Sequence, residues 1–163
     1  MPIDAVIFSG RSAQEIFNGV SYLVQYTLTN NLGKSVSAVK RIIVSESAKT
    51  SKNANPVTSD IFANGVTMTS LSLSAVLKLS TDLNLTSAEN YIFKNTKLEP
   101  AYLSEKLTTT WFVTDGETKF YRSSGVDTNE FTGPEQTPIG RSFYLLAITR
   151  DDRGGLSFVK KKF

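Results

Sequence analysis

The sequence predicts an all-β fold built from antiparallel strands. Three observations lead to this prediction. Apolar and polar residues alternate along several segments, turn residues such as Asn-Gly and Asp-Gly separate them, and strand-length segments recur about every ten residues. The segments are rich in Ser, Thr, Val, Ile, Tyr and Phe, a composition that favours strands. The chain has 163 residues, 40% of them hydrophobic, which suffices for a hydrophobic core.

The amino-terminal segment is predicted to contain three or four antiparallel strands. The clearest strand covers residues 21–29, in which every second residue is apolar on one face. Turn residues follow at 30–33, and residues 36–44 form the returning strand. Two shorter apolar runs, at residues 5–8 and 15–17, are expected to be further strands.

A polar segment separates this unit from the rest of the chain. Residues 47–56 lack any large apolar side chain and end in proline, so we predict a linker there. The expected organisation is a small β module at 1–46, the linker, and a β domain at 57–163. Two arrangements stay open for residues 1–46, which form either a truncated domain or one part of a composite fold.

Strand patterns resume after the linker. Residues 66–79 alternate again, and a Thr-x-x-Glu capping-box spacing then predicts one short helix within 86–106. A hairpin around an Asp-Gly turn is predicted over 107–122, and a last hairpin over 143–160. The single tryptophan, Trp111, lies mid-strand with apolar neighbours on its face, which predicts packing in the core.

The predicted hairpin of the amino-terminal segment also resembles part of a known protein family. Residues 19–44 read GVSYLVQYTLTNNLGKSVSAVKRIIV. This passage resembles the ending of bacterial immunoglobulin-like repeats of extracellular proteins, with matches that include Gly19, Tyr26 and Gly33. Asn30 stands where those repeats usually have aspartate, so the resemblance implies no calcium ligand at this turn.

A second resemblance involves the later strands. Residues 108–123, TTTWFVTDGETKFYRS, and residues 143–159, FYLLAITRDDRGGLSFV, look like the central Trp strand and the last hairpin of immunoglobulin-like modules in bacterial surface lipoproteins. The two resemblances together imply one or more antiparallel immunoglobulin-like β-sandwich modules. They also imply a location that is extracellular or in the bacterial cell envelope.

Membrane attachment is expected to lie elsewhere. Surface lipoproteins of this kind are anchored through an acylated cysteine, and this chain contains no cysteine. Any lipid anchor is therefore expected outside this sequence. No run of about eighteen apolar residues exists, so we expect no membrane insertion by this segment.

The composition excludes much of enzyme chemistry. Without cysteine or histidine the chain cannot form Cys/His zinc sites, haem ligation through those residues, Cys/His dyads or a Ser-His-Asp triad. The neighbouring carboxylates Asp115 and Glu117, and Asp151 and Asp152, lack EF-hand spacing. The net charge of +3 is too small to indicate a nucleic-acid surface. We therefore expect no catalytic residue, cofactor, metal or nucleic-acid partner.

Two groups of residues are candidates for binding. Tyr121 and Arg122 are of the residue types that are enriched at interaction hot spots. Asp151, Asp152 and Arg153 are predicted at a hairpin tip, and loops often carry function. The alternative interpretations are an edge strand protected by charge for the first group, and a solvated turn for the second.

These expectations converge on a non-enzymatic cell-surface or secreted module. It would act as a spacer, or as an adhesion or protein-interaction domain, with a protein or glycan partner at the cell surface. The alternative is a carbohydrate-binding or accessory module of an extracellular bacterial enzyme, which would use exposed aromatic residues such as Phe120 and Tyr121. A third possibility is an enzyme that relies on carboxylates alone, for which the sequence offers no positive indication.

Overall fold

The computed structural model describes residues 6–47, 52–136, 140 and 142–163. The described strand pairs are antiparallel, which confirms the predicted all-β class. In chain order the elements are α1 (Ala13–Asn18), β1 (Val20–Thr29), β2 (Ser35–Val44), β3 (Ile61–Ala63), β4 (Val66–Thr67), β5 (Val76–Thr81), a 3-10 helix (Leu85–Ser87), β6 (Asn90–Lys94), β7 (Pro100–Ser104), β8 (Thr108–Val113), β9 (Glu117–Thr118), β10 (Arg122–Ser124), β11 (Asn129–Thr132), β12 (Tyr144–Arg150) and β13 (Leu156–Lys162).

The chain divides into two compact units, and both are discontinuous in sequence. The first unit consists of Met1–Asn53 and Asn90–Leu103, and the second of Ala54–Glu89 and Ser104–Phe163. The hairpin of β6 and β7 thus belongs to the first unit although second-unit residues flank it on both sides. The sequence predicts a different division, into residues 1–46, 47–56 and 57–163, and that division remains a prediction.

The first unit contains a long two-stranded ribbon. β1 and β2 pair over ten residue pairs, from Val20 opposite Val44 to Thr29 opposite Ser35, which confirms the hairpin predicted there. The turn is stabilised by the Asn30 carboxamide oxygen, which accepts hydrogen bonds from the next backbone N–H groups. Much of the ribbon's apolar surface is exposed, at Leu23, Tyr26, Leu28, Leu32, Val36, Val39 and Ile42.

The strands predicted at residues 5–8 and 15–17 are wrong. α1 occupies the second run, because Ser12 and Glu15 form a reciprocal capping box. The Glu15 N–H donates to the Ser12 hydroxyl at 3.3 Å, and the Ser12 N–H donates to the Glu15 carboxylate at 2.9 Å. The described part of the first run begins with helical backbone at residues 6 and 7.

α1 holds one edge of the second hairpin in this unit. The Asn18 carboxamide accepts from the Lys94 N–H at 2.8 Å and donates to the Lys94 carbonyl oxygen at 2.8 Å. The Gln14 carboxamide also donates to that carbonyl, at 3.1 Å. Side chains of α1 therefore pair with β6 much as a neighbouring strand would.

The helix expected within 86–106 is reduced to the 3-10 helix at Leu85–Ser87. Asn84, and not Thr86, caps it, since the Asn84 carboxamide oxygen accepts from the Thr86 N–H at 2.9 Å. The rest of the range forms the β6–β7 hairpin. Pro100 begins β7, a position that a helix interior would not tolerate.

The second unit consists mainly of two antiparallel sheets. One has four strands in the order β10-β8-β12-β13, and the other has five in the order β4-β3-β5-β11-β9. Inward residues of both sheets form one hydrophobic cluster, so the core lies between the sheets. Its buried members are Ile61, Met68, Leu77, Leu79, Trp111, Phe131, Phe143, Leu145 and Ala147. The core position predicted for Trp111 is confirmed, and its indole N–H donates to the Ser123 hydroxyl.

The two hairpins predicted in this unit have different outcomes. β12 and β13 pair from Tyr144 to Arg150, which confirms the last hairpin. The hairpin expected over 107–122 is present only in part, because β9 joins β11 in the five-stranded sheet and the returning chain pairs with β8 only from Tyr121, into β10. The Asp-Gly turn therefore carries the chain from one sheet to the other. Gly116 lies against Phe131 and the Thr132 carbonyl oxygen at this crossing.

Candidate functional site

A cavity of about 690 Å³ lies beside β10 in the second unit. We call it the β10 cavity, and its lining residues are Asn84, Ala88, Glu105, Lys106, Leu107, Thr108, Tyr121, Arg122, Ser123, Ser124, Gly125 and Val126. Its size is within the range of ligand sites. Both residues of the first predicted binding pair, Tyr121 and Arg122, line this cavity.

Tyr121 is presented to solvent on a fixed backbone. Its side chain is 71% exposed, while its carbonyl oxygen accepts a hydrogen bond of 2.9 Å from the Trp111 N–H. The Arg122 guanidinium lies 5.5 Å from the centre of the Tyr121 ring, within the range of a cation–π interaction. An aromatic face and a cation are thus adjacent at the rim of the cavity.

The buried Asn129 positions the residue before Tyr121. Its carboxamide oxygen accepts from the Phe120 N–H at 3.2 Å, and its carboxamide nitrogen donates to the Phe120 carbonyl oxygen at 2.6 Å. Asn129 is 1% exposed, so the carboxamide end of both bonds is buried. The backbone of the Phe120–Tyr121 segment is therefore held by a side chain of β11.

A second, smaller cavity adjoins the first. It measures about 340 Å³, and we call it the basic cavity because Lys106, Arg122 and Arg150 all line it. The other lining residues are Thr108, Thr110, Asp151 and Asp152. The two cavities share Lys106, Thr108 and Arg122. The Arg150 guanidinium donates to the Thr110 hydroxyl at 3.3 Å, so its charge is directed across the sheet face.

The predicted tip residues 151–153 have three different environments. Asp151 is buried, and its carboxylate accepts from the N–H groups of Arg153 and Gly155 at 2.9 and 2.7 Å, so it stabilises the turn. Asp152 is exposed and lines the basic cavity. The Arg153 guanidinium instead lies 3.2 Å from the Glu105 carboxylate. The structure therefore brings Tyr121, Arg122 and Asp152 to adjoining cavities and gives Asp151 and Arg153 structural contacts.

Glu105 is a buried carboxylate that the sequence did not single out. Its side chain is 2% exposed and accepts from the Arg153 guanidinium and, at 3.0 Å, from the Glu89 N–H. Burial raises the pKa of Glu105; the Glu89 N–H and the Arg153 charge oppose this effect and do not cancel it. Glu89 lies 3.7 Å from the same guanidinium, which therefore serves two carboxylates.

Four contributors to the site were missed from the sequence: Lys106, Arg150, Glu105 and Asn129. Lys106 and Arg150 lie on or next to strands whose alternation was recognised, but their convergence depends on strand pairing. Asn129 is an amide within the short strand β11, with Phe131 buried two residues later. An amide two residues before an aromatic residue, and so on the same strand face as Phe131, is a local signal that could have indicated a structural role.

The site has the features of a binding surface. An exposed ring, a guanidinium and several hydroxyl groups can contact a partner through stacking, charge and hydrogen bonds. Within the described ranges, no group of three or more acidic side chains could hold a metal ion. No described helix is long and apolar enough to cross a membrane. No protein-family model, curated protein or solved structure matches the chain.

Proposed function

We propose that the chain is a non-enzymatic, immunoglobulin-like module of a bacterial cell-surface or secreted protein. It acts as a spacer and as an adhesion or protein-interaction domain, and the partner binds at the β10 cavity. The observation that supports this role is the placement of Tyr121 and Arg122 side by side at the rim of a cavity of about 690 Å³. Both residue types are enriched where binding energy concentrates.

The immunoglobulin-like fold is supported by the architecture of the second unit. Two antiparallel sheets share one core, and the single tryptophan packs in that core from β8, an interior strand of its sheet. Sandwiches of this kind often serve as rigid supports for loops and strand edges. The resemblance of residues 108–123 and 143–159 to bacterial modules agrees with this assignment.

The first unit provides a second reason to favour interaction with protein. The β1–β2 ribbon exposes Tyr26, Leu28 and Val36 on a single face, since these positions are adjacent in the register. Contiguous exposed apolar surface is uncommon on soluble monomers and usually marks an interaction surface.

The proposal is tested by binding to immobilised extracellular matrix and cell-envelope proteins, measured by biolayer interferometry. The wild-type chain should bind at least one protein of the panel, and Tyr121→Ala and Arg122→Ala should each weaken that binding about tenfold or more. Tyr102→Ala is the matched control, because Tyr102 is an exposed tyrosine of the first unit, 79% exposed. Absence of binding, or binding that Tyr121→Ala leaves intact, would overturn the proposal.

A carbohydrate-binding module is the second candidate. The exposed Tyr121 ring can stack on a sugar face, and hydroxyl groups of Thr108 and Ser124 line the same cavity. A glycan array separates the two candidates. Binding to defined glycans that disappears in Tyr121→Ala would favour the carbohydrate-binding module, and a silent array together with protein binding would favour the interaction domain.

A further inference from the structure

β10 is an edge strand. It lies at the end of the four-stranded sheet in the order β10-β8-β12-β13, so only one of its sides is paired. Edge strands carry unpaired backbone N–H and C=O groups, which can pair with another chain. The orientation of these groups along β10 determines which of them are available.

The pairing of β10 with β8 fixes that orientation. The Trp111 N–H donates to the Tyr121 carbonyl oxygen at 2.9 Å, and the Gly125 N–H donates to the Leu107 carbonyl oxygen at 2.8 Å. In the register of the two strands these residues are directly opposite each other, so they are hydrogen-bonded pairs. Hydrogen-bonded and non-hydrogen-bonded pairs alternate in an antiparallel ladder.

The alternation directs the main chain of Arg122 and Ser124 away from β8. Both are therefore positions whose N–H and C=O groups point to the free side of the sheet. The Ser124 carbonyl oxygen accepts from the Asp127 N–H at 3.1 Å. The groups that remain to pair with another strand are the N–H of Ser124 and the N–H and C=O of Arg122. In the described part of the chain, no turn, loop or cap backbone hydrogen bond involves Arg122.

The β10 cavity lies along the edge of this strand. Residues 121–126 line it without interruption, and Asn84 and Ala88 contribute from the segment around the 3-10 helix. Leu107 and Val126 add apolar side chains to the lining. The cavity thus offers space beside unpaired backbone groups, together with an apolar surface for a side chain.

Charge distinguishes one end of this edge. The guanidinium of Arg122 is shared with the basic cavity, where Lys106 and Arg150 also converge. Of the residues that the structure describes, none places a carboxylate oxygen within 4.0 Å of these three cations. The carboxylate of Asp151 accepts from backbone N–H groups of its own turn, and Asp152 is the other carboxylate, so the lining holds three cations and two carboxylates. An incoming acidic side chain would complement the surplus of positive charge.

We propose that an extended, acidic segment of a partner protein adds to β10 as a further strand. Its main chain bonds to the outward N–H and C=O groups of Arg122 and the N–H of Ser124. One of its side chains occupies the β10 cavity, and an acidic side chain pairs with the cations of the basic cavity. Strand addition of this type derives affinity from main-chain bonds and specificity from alternate side chains. This inference rests on the proposed function, for which it names the class of ligand and the mode of binding.

The test uses fluorescein-labelled synthetic ten-residue peptides with alternating glutamate and valine, measured by fluorescence anisotropy up to millimolar concentration. The wild-type chain should bind the acidic peptide about tenfold more tightly than its lysine-valine counterpart. N-methylation of the alternate peptide amides whose N–H groups face β10 should abolish binding. N-methylation of the amides that face away from β10 should leave the affinity unchanged. Equal affinity for the acidic and basic peptides, or binding that neither methylation pattern weakens, would overturn strand addition.

Variants locate the binding site. Arg122→Ala and Arg150→Ala should each weaken binding of the acidic peptide about tenfold and leave the affinity for the lysine-valine peptide unchanged. Lys78→Ala is the control, because Lys78 is an exposed lysine on β5, in the other sheet. Hydrogen exchange should show slower exchange at the amides of Arg122 and Ser124 in the presence of peptide. Unaltered exchange at both amides would contradict the mode of binding.

The outcomes also separate this inference from the proposed function. If a protein of the extracellular panel binds in a Tyr121-dependent manner while the peptides do not bind, the interaction domain is supported and strand addition is wrong. If neither binds, both are wrong.

Discussion

The hydroxyl groups of Thr109 and Thr149 lie 3.0 Å apart inside the second unit, and both residues are fully buried. They are directly opposite each other on β8 and β12. Each hydroxyl has the other as its polar partner, and the next residues across the sheet are Ser123 opposite Thr109 and Ser157 opposite Thr149. The pair therefore connects the two interior strands of the four-stranded sheet.

Removing both hydroxyls of this pair should destabilise the chain by less than the two single removals added together. Thr109→Val or Thr149→Val alone leaves a buried hydroxyl without its partner, at an expected cost of about 1 to 3 kcal/mol in the free energy of unfolding. The double variant should cost clearly less than the sum of the single variants. Urea unfolding followed by the fluorescence of Trp111, the single tryptophan, measures all three. Additive costs would show that the two hydroxyls do not interact.

Gly116 should tolerate no side chain. Its φ is +72°, and an added Cβ would lie 2.5 Å from the Thr132 carbonyl oxygen. Gly65 provides a matched control, because its φ is +81° while nothing lies within 4 Å of the added Cβ. We expect Gly65→Ala to cost about 1 kcal/mol from backbone strain and Gly116→Ala to cost at least about 1 to 3 kcal/mol more, from steric overlap. Equal urea midpoints for the two variants would contradict this explanation.

Asn129 should support binding although it does not line either cavity. Asn129→Ala leaves the N–H and C=O groups of Phe120 without their partners and should destabilise the second unit by about 2 to 4 kcal/mol. Under conditions where the variant remains folded, affinity at the β10 cavity should also fall, because the Tyr121 backbone is no longer fixed. Thr109→Val serves as the control, since its destabilisation should leave affinity unchanged. Loss of stability without loss of affinity would limit Asn129 to a role in the core.

Glu105 should make the second unit less stable as the pH rises. Burial raises the pKa of Glu105 above the ordinary value of 4.5, so the folded state holds this proton more tightly than the unfolded state does. Stability contributed by the protonated form is therefore lost as the pH increases from 4.5 through the raised pKa. Glu105→Gln removes the titration, and its free energy of unfolding should decline less than that of the wild type between pH 4.5 and neutrality.

The exposed Glu117 allows a control for this pH dependence. Glu117→Gln should follow the wild-type curve over the same interval. Measurements should stay above pH 4.5, because the lowered pKa values of Asp60 and Asp82 cause stability to fall with decreasing pH, in the opposite sense. A Glu105→Gln curve parallel to that of the wild type would show that Glu105 does not contribute.

Local patterns were sufficient for part of the fold. The β1–β2 hairpin was predictable because nine residues alternate strictly and a turn sequence follows. At Ser12–Glu15 the capping-box spacing was also present in the sequence, yet the apolar run that follows it was interpreted as a strand. β9 could not be placed from sequence, since its partner is β11, through Thr118 opposite Phe131 and Glu117 opposite Thr132, and a local pattern does not contain that pairing.

The site was predictable only where residue type was informative. Tyr121 and Arg122 were selected because tyrosine and arginine concentrate at interfaces, and the structure places both at one cavity. Lys106 and Arg150 reach the basic cavity through the pairing of β8 with its neighbours on either side. Arg153 was selected because it was predicted at a hairpin tip, whereas its guanidinium is held by Glu105. Sequence alone does not distinguish a charge available to a partner from one already engaged.

The discontinuity of the two units has a practical consequence for dissection of the chain. The backbone passes between the units three times, after Asn53, after Glu89 and after Leu103. A single proteolytic cut at the first passage separates residues 1–53 from the rest, but residues 90–103 of the first unit stay covalently joined to the second unit through the other two passages. A truncated gene that begins at residue 54 would encode β6 without Asn18, whose carboxamide occupies both main-chain groups of Lys94. Clean separation therefore requires excision of residues 90–103 and a short splice between Glu89 and Ser104.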